Sequence, residues 1–219
     1  MKRNAPLLLL LLTGCAFGGG TPPQSAPHHR APTAVLFPTP RSTQICYADL
    51  SRDGIRFSPL PDHDYGGGCN LTGTVQLIDV GVPITGIKGM RCGLARDFVG
   101  WIRHAVAPAA RQILGSDVVK VETMGTYSCR NVVGNAAYSG KLSGHAIANA
   151  VDVSGFRLAD GRRITVLADW RSQDPATRSF FATLHTSACK RFGTVLSPDY
   201  NAAHANHLHL EADRANFCR

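Results

Sequence analysis

The sequence predicts an α+β domain, and three observations predict it. Two stretches, residues 92–114 and the segment from residue 175, carry apolar residues at helical spacing. Several shorter stretches alternate apolar and polar residues as strands do. These elements are interspersed without the regular βαβ repeat that builds a doubly wound sheet. Composition agrees with a folded domain: 44% of the 219 residues are hydrophobic and 7% aromatic, which excludes a disordered chain, and no internal repeat is present. The length suffices for one ordinary domain plus flexible segments.

The first segment stands apart from that domain. Lys2 and Arg3 precede an apolar stretch at residues 7–12, a pattern that reads as an export leader and is too short to span a bilayer. The run Leu12-Thr13-Gly14-Cys15 resembles a bacterial lipobox. That resemblance implies cleavage after residue 14 and a lipid anchor on Cys15, so that the protein meets the membrane through its lipid. Ala16 stands where an inner-membrane retention aspartate would be, which by the same rule implies the outer membrane, facing the periplasm. Residues 15–43 then form an expected tether. Pro22, Pro23, Pro27, Pro32, Pro38 and Pro40, mixed with Gly, Ser, Thr and Ala, give it little to bury. His28 and His29 lie in it as solvated linker residues. The domain proper is expected over residues 44–219.

Within the domain, residues 74–80 alternate as a strand, and the first long helix follows at residues 92–114. Its stripe is Ala95, Phe98, Val99, Ile102, Val106, Ala110 and Ile113, with Pro108 expected to kink or split it. Residues 118–127 read as a strand with Val119, Val121 and Thr123 on one face, and residues 164–168 read as another. Pro175 opens the second helix behind a capping Asp174, with Phe181, Leu184, Ala188 and Phe192 as the buried stripe. Residues 194–196 and 207–212 complete the strands.

Charge and cysteines narrow the function classes. Loss of Lys2 and Arg3 with the leader leaves 21 basic against 15 acidic side chains, a net charge of +6. Such a surface could draw an envelope protein to anionic peptidoglycan, lipopolysaccharide or teichoic polymers. Nucleic acid is not an expected partner, because the leader directs export and no interleaved basic and aromatic stripe is present. With Cys15 lipidated, six cysteines remain: Cys46, Cys69, Cys92, Cys129, Cys189 and Cys218. An even number in an exported chain predicts three disulfides, of about fifteen possible connectivities. There is no C-x-x-C pair, and the even count makes Cys129 a bridge partner rather than the nucleophile of a thiol amidase.

Two segments concentrate chemistry. One runs from Ser143 through His145 to Asp152, and the other is His204-Ala-Asn-His207-Leu-His209-Leu-Glu211. Read as a strand, the second projects His207, His209 and Glu211 to one face and Leu208 and Leu210 to the other. Imidazoles on a half-buried strand are costly unless a metal or a hydrogen-bond network organises them. In the first segment Asp152 sits between Val151 and Val153, and His145, at a Ser-Gly turn, can fold back beside it. Two neutral imidazoles and one carboxylate make an open tetrahedral site for one zinc ion, Zn²⁺. The set also suits non-haem iron, but the H-x-D spacing usual there is absent, and zinc is preferred.

At these residues the chain resembles the LAS-type zinc peptidases, a group that includes D,D-carboxypeptidases, murein endopeptidases and the Hedgehog signalling domain. Their fingerprint, S-x-H-x-x-G-x-A-x-D followed later by H-x-H, is matched by Ser143, His145, Ala150 and Asp152, then by His207 and His209. More closely, the stretch from Cys46 to Cys218 is similar to the bacterial extensin-like C-terminal domain. The likeness rests on Gly68-Cys69, residues 125–130, the run from His145 to Phe156, and residues 188–196. The resemblance implies a small, mainly antiparallel sheet flanked by helices, in a Hedgehog/D,D-peptidase-like fold. It implies His145, Asp152 and His209 as metal ligands, and His207 as a histidine beside the metal that moves protons or stabilises an oxyanion. His204 is then a second acid/base candidate. Arg130 and Ser143 become candidates for binding substrate, Arg130 by holding a carboxylate.

Two departures matter. Ala148 replaces the glycine of the fingerprint, and Asn206 stands where carboxypeptidase-type members carry a glutamate base. The resemblance therefore implies an endopeptidase-like zinc hydrolase acting on peptidoglycan peptides. Asn206 equally favours the alternative, a non-catalytic metal-binding module of the cell wall.

Overall fold

A computed structural model describes residues 33–34 and 40–219. The expected leader, Cys15, His28 and His29 lie outside the described residues. The architecture is mixed helix and sheet, as expected. Strand β1 (Thr33–Ala34) is followed by helix α1 (Arg41–Arg52), which buries Cys46 and Leu50 and includes residues 41–43 of the segment assigned to the tether. Then come β2 (Arg56–Pro59), β3 (His63–Gly66), β4 (Cys69–Leu71), β5 (Thr74–Asp79), β6 (Ile84–Thr85) and β7 (Met90–Arg91). Two small sheets result, β1-β3-β4 and β2-β5-β7. Only β5 among these strands was expected from alternation.

Residues 92–114 are helical throughout, but the turns are not uniform. α2 (Cys92–Trp101) widens into π-helical turns at Ile102–Val106 and Ala110–Leu114 on either side of a short α3 (Ala107–Ala109). Pro108 therefore interrupts the α-helical turns, as expected, but does not break the rod. A proline lacks the N–H that would bond four residues back, and its ring crowds that carbonyl. Here the Ala107 N–H reaches the Ile102 carbonyl instead, and the widened turn makes room. Gly115, at φ 68°, ends the rod in the left-handed conformation that glycine adopts without cost.

The second expected helix is α5 (Pro175–Cys189). Asp174 Oδ2 accepts from the Thr177 N–H at 2.9 Å, and Pro175 fills the first helical position. Phe181, Leu184 and Ala188 are buried along it, and Phe192 is buried just beyond its end. Trp101 locks α2 to α5 by donating its indole N–H to the Leu184 carbonyl at 3.3 Å and to Ser187 Oγ at 3.0 Å. Residues 164–168 differ from expectation. β10 (Arg163–Thr165) stops there, and the chain turns into α4 (Val166–Asp169). Thr165 Oγ1 accepts from the Ala168 N–H while the Asp169 carboxylate accepts from the Thr165 N–H, a reciprocal cap that overrides the strand preference of Ile-Thr-Val.

β8 (Val118–Gly125), β9 (Ala150–Leu158), β11 (Thr194–Leu196), β12 (Leu208–Glu211) and β13 (Phe217–Cys218) join β6 and β10 in a seven-stranded sheet. Its order is β13-β11-β12-β9-β8-β6, with β10 added to β9. Pairing is antiparallel except for β11 with β13 and β6 with β8. β8 ends at Gly125 rather than at residue 127. Val121 is buried, but Val119 is 45% exposed, because register shifts between β8 and β9 break the even alternation. Val151 and Val153 pair with Leu210 and Leu208, and all four are buried in the core shared with α2 and α5. The opposite side of those same rungs is where the polar residues collect.

Candidate metal centre

β9 and β12 run antiparallel in a register that sets His209 directly opposite Asp152, with Gly125 of β8 on the other side of Asp152. Because side chains alternate along a strand, burying Val151, Val153, Leu208 and Leu210 sends Asp152 and His209 to the other face together. His145 arrives from a short 3₁₀ turn, Gly144–Ile147. Ser143 caps that turn, its hydroxyl accepting from the His145 N–H at 3.3 Å. Ala148 closes the turn at φ 52°, in the left-handed region. This is the position at which the fingerprint has glycine, and an alanine holds it at an expected cost of about 1–2 kcal/mol.

The donor atoms converge. His145 Nε2 lies 3.1 Å from Asp152 Oδ2 and 3.2 Å from His209 Nδ1, and His209 Nδ1 lies 3.0 Å from Asp152 Oδ1. The outward ring nitrogens have their own partners. His145 Nδ1 donates to the Thr126 carbonyl at 3.2 Å, and His209 Nε2 donates to Glu211 Oε2 at 3.3 Å. With one proton each, on those outward nitrogens, both rings would turn a lone pair inward as a metal ion requires; without a metal, an inward nitrogen that carries a proton hydrogen-bonds Asp152 instead. Acceptors this close are held together by positive charge, which a metal ion or a ring proton can supply. A tetrahedral zinc ion with bonds of about 2.0–2.1 Å has ligand edges of about 3.3–3.4 Å, close to the observed spacing. Asp152 and Glu211 together carry two negative charges, which one divalent ion balances.

The electrostatics agree. Burial alone would raise Asp152, but hydrogen bonds from His145 and His209 outweigh it and hold the carboxyl well below its usual range. Burial opposes charge on His209, yet its bonds to Asp152 and Glu211 prevail and raise it to about 9. Without a metal, that ring takes up the required positive charge itself.

His204 and His207 form the next layer, and both are buried. His207 was expected on the strand with His209 but lies just before it. β12 begins at Leu208, and the chain turns just before it, with the His207 N–H bonded to the His204 carbonyl. The ring still faces the cluster, with Nε2 3.5 Å from Asp152 Oδ1. Its Nδ1 donates to Asn206 Oδ1 at 2.8 Å. His204 Nδ1 donates to Asn201 Oδ1 at 2.7 Å, and its ring lies 5.1 Å from that of His207. Burial, and then the neighbouring His207, push His204 down to about 4; burial also lowers His207, against the pull of Asp152. Arg130 is half-buried, and its positive charge contributes to both of these downward shifts. Ser143 is buried with its hydroxyl committed to the cap.

Sequence reasoning assigned no role to Glu211, Asn201 or Asn206. Glu211 was legible as a third residue on the His209 face and Asn206 as the replacement for a glutamate, whereas Asn201 carries no signal without the fold. Three disulfides, Cys46–Cys92, Cys69–Cys129 and Cys189–Cys218, select one pairing of the six cysteines and commit Cys129 to a bridge. His185 stands beside Cys189 and Cys218, but those sulfurs are bonded to each other. Three surface hollows of about 330–440 Å³ among the described residues are lined by residues 77–87 or by side chains of α2 and its surroundings, away from the histidine cluster. No helix among the described residues is long and apolar enough to cross a membrane.

Fold and site together define an α+β domain, braced by disulfides, with a buried cluster of two histidines and a carboxylate backed by two further histidines. The chain belongs to the family described as extensin-like protein C-terminus, whose profile matches residues 44–219. No curated protein and no solved structure matches the chain.

Proposed function

We propose that this protein is a zinc-dependent peptidoglycan hydrolase of the cell envelope, cutting an amide bond in murein cross-link peptides by endopeptidase-like chemistry. In this reading the domain has the Hedgehog/D,D-peptidase-like fold of the LAS-type peptidases. A lipid on Cys15 holds it at the outer membrane, and the proline-rich tether lets it reach the wall. The observation that carries the reading is the convergence of His145 Nε2, His209 Nδ1 and the Asp152 carboxylate within 3.0–3.2 Å of one another, with one nitrogen of each imidazole turned inward.

His145, Asp152 and His209 would hold the ion, which when bound supplies Lewis acidity to a carbonyl and acidity to water. The remaining work falls to the protein. His207 is neutral near pH 7, because burial lowers it, and Asn206 takes its Nδ1 proton. Its Nε2 lone pair therefore faces the cluster, where it can accept a proton from the attacking water and return it to the leaving amine. Asn206 is thus a positioning residue for the base, which supplies a use for the side chain that replaces the glutamate. His204, held in the same tautomer by Asn201, adds a second ring that can share that proton. Arg130 supplies the positive charge for a substrate carboxylate.

Digestion of purified sacculi tests this. Wild-type protein should release new muropeptides, and the folded His209→Ala variant should release none. Bound zinc without muropeptide release would replace the hydrolase with a metal-binding wall module; absence of bound metal would defeat both.

A further inference from the structure

We propose that Glu211 is a positioning residue for the metal centre, and that Gly144 exists to admit it. The inference rests on His145, Asp152 and His209 being the ligands, and it concerns how one of them is presented. A neutral imidazole has one N–H, and the partner of that N–H decides which nitrogen keeps the lone pair. For His209 the Nδ1 edge must face His145 and Asp152, so the proton must stay on Nε2. Glu211 Oε2 accepts from Nε2 at 3.3 Å, and its side chain is 19% exposed, so bulk water competes poorly for that bond.

The backbone sets this pairing. His209 and Glu211 are two residues apart on β12, opposite Asp152 and Ala150 of β9, so their side chains share one face. A second, independent observation comes from the turn that delivers His145. A Cβ at position 144 would overlap both oxygens and the carboxyl carbon of Glu211. The φ of Gly144 is not positive, so what glycine gives there is space: a Cβ would push the flexible end of Glu211 away from the His209 ring. The residue immediately before one ligand is therefore cut back to let the Glu211 carboxylate sit between the turn and the ring of another. Carboxylates that accept from the far nitrogen of a ligating histidine fix its orientation and raise its basicity, an effect of about 10–100-fold on metal affinity.

The test uses the full-length protein and zinc alone, with affinity measured by competition against a chromogenic chelator. Glu211→Ala should weaken zinc binding about 10–100-fold. Glu211→Gln, whose amide oxygen still accepts from Nε2, should restore most of that loss. Gly144→Ala should weaken binding like Glu211→Ala. A purely structural role for Glu211 would lower the thermal stability of the metal-free variants without separating Gln from Ala in zinc affinity. Nitrogen-15 NMR of the zinc-loaded wild type needs no variant, and should show His209 bound through Nδ1 with a proton on Nε2. Wild-type affinity in Glu211→Ala, or zinc on Nε2, overturns the role of Glu211 and leaves the ligand set standing. Absence of zinc binding by the wild type overturns both.

Discussion

Raising the pH on the metal-free protein probes the cluster directly. Between Asp152 and Glu211, His209 is raised from 6.5 to about 9 in the folded state. Below pH 6.5 both folded and unfolded chains hold that proton, and the stabilisation is fully present. Between pH 6.5 and about 9 the unfolded chain has lost the proton while the folded chain keeps it, so stability falls as pH rises. At about 1.4 kcal/mol per pH unit the loss approaches 3 kcal/mol by pH 9.5. For a domain of this size that lowers the melting temperature by roughly 6–12 °C. His204 and His207 contribute with the opposite sign at lower pH: both are lowered, so stability rises with pH as their unfolded forms lose protons toward 6.5. The metal-free profile should therefore peak near pH 6.5–7 and decline on the alkaline side. A zinc ion held by the cluster would take the place of the His209 proton, so the loaded protein should show no alkaline decline below pH 9. Urea unfolding of chelator-treated and zinc-loaded samples, disulfides intact, measures both profiles. A metal-free protein whose stability is flat from pH 6.5 to 9.5 would refute the placement of a charged His209 between two carboxylates.

Two further outcomes follow from the structure. His207→Ala should keep its zinc while kcat on sacculi falls by about 10²–10⁴, as for loss of a general base; zinc lost along with activity would make His207 a ligand instead. Replacing Cys46 and Cys92 together by serine removes a bridge that joins α1 to α2 across 46 residues, and should cost about 2–5 kcal/mol in chemical denaturation; an unchanged unfolding midpoint would count against that pairing.

The parts legible in the sequence were those governed by local periodicity. α5 was readable from its stripe and its Asp174-Pro175 start, and β12 from the alternation of Leu208 and Leu210 with polar residues. The same alternation placed Asp152 and His209 on a polar face. That they stand opposite each other follows only from the β9–β12 register, which is a tertiary fact. α1 was missed because its first turn lies at the end of a proline-rich stretch and its buried face, Cys46 and Leu50, is narrow. α4 was missed because Ile164, Thr165 and Val166 favour strands, and only the reciprocal cap of Thr165 and Asp169 turns the chain. Pro108 interrupts the α-helical turns as expected but does not break the rod, because π-helical turns on either side accommodate it. His207 was placed on the wrong side of a strand boundary, although its ring still reaches the cluster. The roles of Asn201, Asn206 and Glu211 depend on distances between side chains that no spacing rule supplies.

His145, Asp152 and His209 are expected to hold one divalent ion that His204 and His207 do not ligate. Metal stoichiometry by elemental mass spectrometry, on the purified protein and single alanine variants, tests it most directly. One zinc per chain should be found in the wild type and in the His204 and His207 variants, and none in the His145, Asp152 or His209 variants. Zinc retained in full by any of those three folded variants would contradict the account.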